Sequence, residues 1–114
     1  MNNKQLGTAF EKEMVELFAN NGYWVHFISP APDGSQPFDL IFAKNGIAMA
    51  ADCKTSSKRN FSFKRLEDNQ VFAFEKWLKC GNPEPVIFVK YKEKIYTVPY
   101  KLLKNCGKVD LYAL

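Results

Sequence analysis

Between Thr8 and Asn20 the apolar residues Phe10, Met14, Leu17 and Phe18 recur at i, i+4, i+7 and i+8, with Glu11, Lys12, Glu13 and Glu16 between them. That spacing predicts an amphipathic helix, stopped near Asn20-Asn21-Gly22 by a glycine able to take the left-handed conformation. The aromatic and β-branched run Tyr23 to Ile28 predicts a first strand. Ser29 to Pro37 holds three prolines and a glycine and is a loop. Phe38 to Ala43 is a second strand and Ile47 to Lys54 a third, joined by Lys44-Asn45-Gly46, which carries the Asn-Gly hairpin signal. After a polar stretch, Ser56 to Asn60, the segment Leu66 to Lys79 carries Leu66, Val71, Phe74, Trp77 and Leu78 among helix formers. It predicts a second helix closing at Cys80-Gly81-Asn82-Pro83. Val86 to Tyr91 is a buried strand, paired with Lys94 to Val98 across Lys92-Glu93, and Pro99 to Leu103 opens a short final helix.

The order helix, three strands, helix, two strands is that of an α/β protein whose central sheet is covered on both faces. The strand at Val86, arriving after a helix, is placed parallel to the strand of Asp52 by a right-handed crossover. At 114 residues the chain is most simply one domain, residues 1–114, able to bury a modest core.

Composition narrows the class without naming it. No run approaches the roughly 18 apolar residues of a membrane span, and Met1 to Gln5 lacks a signal peptide's apolar core, so a cytoplasmic location without a membrane partner is expected. Cys53, Cys80 and Cys106 are odd in number and lack CxxC spacing, which indicates reduced packing residues rather than disulfides or a zinc site. The net charge of +4 suits nucleic acid. Its placement says more, because Lys54, Lys58, Arg59, Lys64 and Arg65 fall within twelve positions. Lys58, Arg59, Lys64 and Arg65 are candidate contacts to a phosphate backbone.

The candidate chemistry lies at the ends of the second and third strands. Asp52 and Lys54, two positions apart in a strand, point to one side while Cys53 turns away, and hairpin pairing brings Asp39 near them. Hydrolysis of a phosphodiester needs an activated water, shielding of the phosphate charge and help for the leaving oxygen, all of which a carboxylate-held divalent cation supplies. Mg2+, or Mn2+ in its place, takes oxygen ligands and keeps several waters. Asp39, Asp52 and the Cys53 backbone carbonyl are candidate ligands, with Glu11 reaching the metal directly or through water. Lys54 is placed to orient the attacking water or to stabilise developing charge. Asp33 and Ser35 in the proline-rich loop are more remote candidates, Tyr23 or Trp24 could face DNA, and His26 is expected to be structural.

Asp39, twelve intervening residues and Asp52-x-Lys54 resemble the motif of the PD-(D/E)XK nuclease superfamily. The resemblance implies a restriction-endonuclease-like fold, a mixed sheet flanked by helices, with a glutamate from the first helix, here Glu11. Gly7-x-x-Phe10-Glu11, Ala51 to Thr55, Phe61-Ser62-Phe63 as an aromatic connector, and Asn69-Gln70-Val71 resemble RecU-type Holliday-junction resolvases and, more loosely, the small archaeal resolvases. Gln70 takes the place of the glutamine in a His-Gln pair, Asn69 stands where that pair has histidine, and Asp52 stands where RecU-type enzymes usually have glutamate. The loop Ser29 to Pro37 is too short to hold the RecU stalk that enters a four-way junction. The resemblance implies a Mg2+-dependent endodeoxyribonuclease, a homodimer acting on branched or four-way DNA, with Glu11, Asp39, Asp52, Lys54 and Gln70 as its catalytic set. The rival reading is a non-catalytic DNA-binding module that keeps the nuclease fold.

Overall fold

The computed structural model describes residues 2–114. The chain opens with α1 (Asn3–Asn20), followed by strands β1 (Trp24–Phe27), β2 (Leu40–Lys44) and β3 (Ile47–Thr55). A short strand β4 (Asn60–Ser62) and a 3-10 turn (Phe63–Arg65) lead into α2 (Asp68–Lys79), then β5 (Val86–Tyr91), β6 (Lys94–Pro99), α3 (Tyr100–Cys106), β7 (Lys108–Asp110) and a final 3-10 turn (Leu111–Ala113). Five strands form one mixed sheet in the order β1-β2-β3-β5-β6. All neighbours are antiparallel except β3 and β5, which run parallel with Asp52 opposite Ile87. The expected pairing of the Asp52 strand with the Val86 strand is therefore present.

Alternation along the central strands builds two cores. Leu40, Phe42, Ala51, Cys53 and Phe88 point to the face covered by α1 and meet Phe10 and Met14. Ala50, Ile87, Val89 and Val98 point to the opposite face, where α2 and α3 bring Phe74, Tyr100 and Leu103. Asp52 has the parity of Ala50 and so lies on the α2 face, among apolar side chains.

Several local expectations are corrected. The first helix begins at Asn3 rather than Thr8, because Asn2 Oδ1 accepts the Gln5 N–H at 2.8 Å while Gln5 Oε1 accepts the Asn2 N–H at 2.9 Å, a reciprocal cap that holds a turn lacking a buried apolar stripe. The first strand loses Tyr23 and Ile28 at its ends. Tyr23 N–H turns back to the Phe18 carbonyl and Ile28 N–H bonds the Asp39 carbonyl outside the regular ladder. The second starts at Leu40, so Phe38 and Asp39 precede the strand proper. Leu66 stands before α2, not in it, as it ends the preceding 3-10 turn. Phe61 is not in a connector but in β4, which pairs with β7 near the C-terminus. Of the cysteines only Cys53 packs in the core, while Cys80 and Cys106 are exposed, and all three are free. No helix among the described residues is long and apolar enough to cross a membrane.

Candidate active site

β2 and β3 separate at the point where the acids stand. Their regular register ends at Leu40↔Ala51, and β3 runs on through Asp52, Cys53 and Lys54 without a β2 partner. Asp39 bridges the gap. Its N–H bonds the Ala51 carbonyl at 3.1 Å, and its Oδ2 accepts the Cys53 N–H at 2.7 Å. A strand residue sends its N–H and its carbonyl to the same edge. The Cys53 carbonyl therefore faces the same opening as its N–H, beside the Asp39 carboxylate, while the Cys53 side chain packs against α1 on the other face.

Asp52 is fully buried. Its Oδ1 accepts the Gln70 Nε2 at 3.1 Å. The Gln70 amide is oriented by its other end, since Oε1 accepts the Glu67 backbone N–H at 2.9 Å and only the NH2 group is left to face Asp52. Oδ2 of Asp52 is buried without any hydrogen bond. The Lys54 ammonium lies 3.3 Å from it, close enough for charge attraction without the alignment of a hydrogen bond. Asn69, next to Gln70, donates its side-chain amide to the Gln36 carbonyl and so ties the proline-rich loop to the start of α2.

Burial dominates the electrostatics. It pushes the Asp52 carboxyl well above the usual carboxylate range, and the adjacent Asp39 charge pushes the same way while Lys54 opposes both. Burial also raises Asp39, against the pull of the neighbouring Asp52 carboxyl and of the bond from the Cys53 N–H. Two neighbouring acids titrate as a pair, and burial weighs more heavily on Asp52 than on Asp39. Glu11 on α1, half-buried, is pushed up to about 7, first by its own burial and then by the Asp39 charge, with Lys54 pulling it back. Burial drives the Cys53 thiol far upward, which suits a packing residue.

Asp39, Asp52, Lys54 and Gln70 thus stand together, and Glu11 on α1 is near enough for its charge to interact with Asp39 and Lys54. The four basic candidates do not act alike. Arg59 is bound to Asp110, Nε to Oδ1 at 2.9 Å, and lies over the Tyr112 ring at 5.1 Å. Arg65 donates to the Thr55 carbonyl at 2.9 Å and covers the Phe61 ring at 5.3 Å. Lys58 and Lys64 are exposed. Asp33 is occupied with Ser35, whose hydroxyl it accepts at 2.6 Å, and Tyr23 packs in the α1 core. Trp24 is exposed and stacks on the exposed His26 at 6.0 Å. Sequence reasoning missed Glu67, whose charge bears on Asp39, and Lys108. Both lie outside any apolar period or recognised motif.

The buried, unbonded oxygen of Asp52 tests whether a cation fits. A buried carboxylate oxygen with only the Lys54 charge at 3.3 Å and no hydrogen bond is incompletely satisfied, and a divalent cation held between Asp39 and Asp52 would complete it. Among the described residues no cluster of three or more His, Cys, Asp and Glu stands at metal-binding spacing. Two carboxylates with a backbone carbonyl and waters is a donor set that Mg2+ accepts.

Residues 2–112 match the family model of the archaeal Holliday junction resolvase, Hjc. This chain belongs to the Hjc family. The family lies within the PD-(D/E)XK superfamily, and it is the archaeal branch, not the RecU-type branch to which the motifs gave the closer likeness. Among curated relatives, the Hjc-family chain is 29% identical over 102 residues to the crossover junction endodeoxyribonuclease Hjc of Methanocaldococcus jannaschii, covering 90% of this chain and 71% of that one. It is 26% identical to the crossover junction endodeoxyribonuclease of Sulfolobus islandicus rod-shaped virus 1, covering 92% and 88%. The solved structure of Hjc from Archaeoglobus fulgidus, described as a Holliday junction resolvase from an archaeal hyperthermophile, superposes with a TM-score of 0.69 at 18% identity, over 92% of this chain and 89% of that one. That likeness establishes the Hjc fold for this chain.

Proposed function

We propose that this chain is a crossover-junction endodeoxyribonuclease that hydrolyses phosphodiesters in four-way DNA with Mg2+, or Mn2+ in its place. The carrying observation is the pair Asp39 and Asp52 with one Asp52 oxygen buried and unbonded. Buried polar atoms without a hydrogen bond are uncommon, and a bound ion is one of the recognised reasons for one. Asp39, Asp52 and the Cys53 carbonyl would hold the cation, with Glu11 placed to reach it through water. A divalent cation bound there supplies a more acidic water and neutralises charge on the phosphate. Lys54, anchored by charge to Asp52, donates to the attacking water or to a phosphate oxygen and stabilises the negative charge that develops. Gln70 fixes the Asp52 carboxylate through Oδ1, which would leave Oδ2 free for a cation. Glu11, ionised once a cation is bound, would accept a hydrogen bond or a proton from the water.

A four-way junction presents two equivalent strands for cutting, and a homodimer with two such clefts matches that symmetry. Family membership and the resolvase names of the relatives support the substrate, and the cytoplasm is the compartment where such an enzyme would meet DNA. The test is cleavage of labelled four-way junction, flap, duplex and single-stranded DNA with Mg2+, alongside Asp39→Ala and Lys54→Ala. Symmetric nicks in the junction, lost in both variants while junction binding persists, are expected. Equal cutting of every substrate would remove the junction assignment. Undiminished cleavage by both variants would remove the site assignment, and no cleavage by the native chain would favour a DNA-binding module.

A further inference from the structure

β4 and β7 pair over three residues, with Asn60 opposite Asp110, Phe61 opposite Val109 and Ser62 opposite Lys108. Alternation puts Phe61 and Val109 on one face, and both are buried in the core. Asn60, Ser62, Lys108 and Asp110 consequently form the outward face. Asn60, Ser62 and Lys108 of this face, with Lys58, Arg59, Lys64 and Gly107, line a concavity of about 820 Å³.

Four cations share the concavity, and only one of them is neutralised. Arg59 is held by Asp110, with Nη2 donating to Oδ2 at 3.0 Å besides the Nε contact. Lys58, Lys64 and Lys108 are exposed and have no carboxylate partner among the described residues. Three like charges around one hollow raise the local positive potential and attract an anion. Neutral donors lie between them. Ser62 Oγ accepts the Lys64 N–H at 3.1 Å, which leaves its hydroxyl proton to donate outward, and the Asn60 amide carries two N–H donors. Ammonium groups interleaved with hydroxyl and amide donors suit the oxygens of a row of phosphates rather than base edges.

Location says which polymer carries the phosphates. Lys54 and Asn60 are six residue steps apart, at most about 20 Å, and Arg65 ties the far end of the ribbon to the Thr55 carbonyl at 2.9 Å. A duplex carries a charge about every 1.7 Å along its axis, so DNA entering the cleft at Lys54 brings a run of phosphates across this distance. We propose that the outward face of the β4–β7 ribbon grips the backbone of a duplex arm beside the cut through Lys58, Lys64 and Lys108, with Asn60 and Ser62 as neutral donors. The proposal rests on the nuclease reading for the identity of the polymer. It replaces Arg59 and Arg65, which are engaged within the protein, by Lys108.

The test is the salt dependence of four-way junction binding by the full chain, measured by fluorescence anisotropy in EDTA so that no strand is cut. Each phosphate contact contributes about 0.9 to the slope of log K against log salt. A Lys58→Gln, Lys64→Gln, Lys108→Gln triple variant is expected to flatten the slope by about 2.7 and Lys108→Gln alone by about 0.9, with Lys108→Arg restoring it. An unchanged slope in the triple variant with a native circular dichroism spectrum overturns the proposal. So does an equal loss of slope in Lys108→Arg and Lys108→Gln. The Lys108 pair decides the matter even if the triple variant folds poorly. Failure of the nuclease reading looks different, since the native chain would then leave the junction uncut in Mg2+ whatever the slopes.

Discussion

Asp52 and Glu75 are both carboxylates held by neighbours from other elements, and their surroundings drive them in opposite directions. Glu75 on α2 is one-third exposed, accepts the Tyr100 hydroxyl at 2.6 Å and pairs with the Lys104 ammonium at 2.9 Å. The Tyr100 hydroxyl, then Lys104, hold its carboxyl below the usual range. Asp52 is fully buried with one oxygen unbonded, and burial holds it well above that range. Glu75 is a carboxylate the fold has satisfied with its own donors. Asp52 is one the fold satisfies only in part, through Gln70 and the Lys54 charge. Charged residues that serve stability and charged residues that serve chemistry are told apart here by whether their partners are complete.

Removing the Asp52 charge separates the two roles most strongly. Asp52→Asn keeps an oxygen for Gln70 and deletes the buried charge, so junction cleavage is expected to fall by about a thousandfold or more, on the scale of losing a preorganised electrostatic group. The metal-free variant should melt at a higher temperature than the native protein, and Mg2+ should no longer raise its Tm. A native-like Mg2+ gain in Asp52→Asn would break the comparison. Next in size is Gln70→Ala. It frees the carboxylate without touching its charge, and cleavage and Mg2+ affinity should each drop about 10- to 100-fold, the usual effect of losing a group that orients a metal ligand.

Acidity sharpens the contrast further. Glu11, Asp39 and Asp52 all have folded pKa values above their unfolded ones, and Glu11 moves from 4.5 to about 7. Their protonated forms favour the folded state, so the stability they contribute is present below about pH 4 and is lost as pH rises through the folded values. Metal-free protein should lose Tm between pH 5 and pH 8, by roughly 4 °C for each kcal/mol. Saturating Mg2+ should flatten the profile, because a bound cation favours the ionised acids. Glu75 has the opposite sign, its contribution being present above its unfolded pKa and lost only as the solution becomes more acidic. Melting curves in EDTA and in Mg2+ across this range check both, and a metal-free Tm that rises toward pH 8 would contradict the assignment.

Much of this contrast was legible in the chain, and the illegible part has physical causes. The five-stranded sheet, the Asn45-Gly46 hairpin and the convergence of Asp39, Asp52 and Lys54 follow from local period and spacing. The cap that starts α1 was written as Asn2-x-x-Gln5, yet the apolar stripe begins only at Phe10. The β4–β7 ribbon was not legible, because three-residue strands whose partners lie near the opposite end of the chain leave no periodic trace. Gln70 stood out only through a family likeness. That its amide faces Asp52 depends on the Glu67 backbone N–H taking the other end, a tertiary fact. The exposure of Cys80 and Cys106 has the same character, since each stands at a helix end whose outer side no element covers.

The smallest expected effect belongs to the satisfied carboxylate. Tyr100→Phe retains a fully buried ring and deletes one hydrogen bond to Glu75, and Glu75→Gln weakens the same bond and removes the ion pair with Lys104. Each should cost about 1 kcal/mol or less, a Tm lower by roughly 4 °C in a domain of this size. Junction cleavage and the Mg2+ gain in Tm should stay at native values, because Glu75 makes its contacts with α3 and the acid pair makes its own with β3 and Gln70. If Glu75→Gln instead suppressed the Mg2+ gain as Asp52→Asn is expected to do, incomplete partnering would no longer distinguish the chemical carboxylate from the structural one. The cation site would then have to be sought beside Glu75, between α2 and α3.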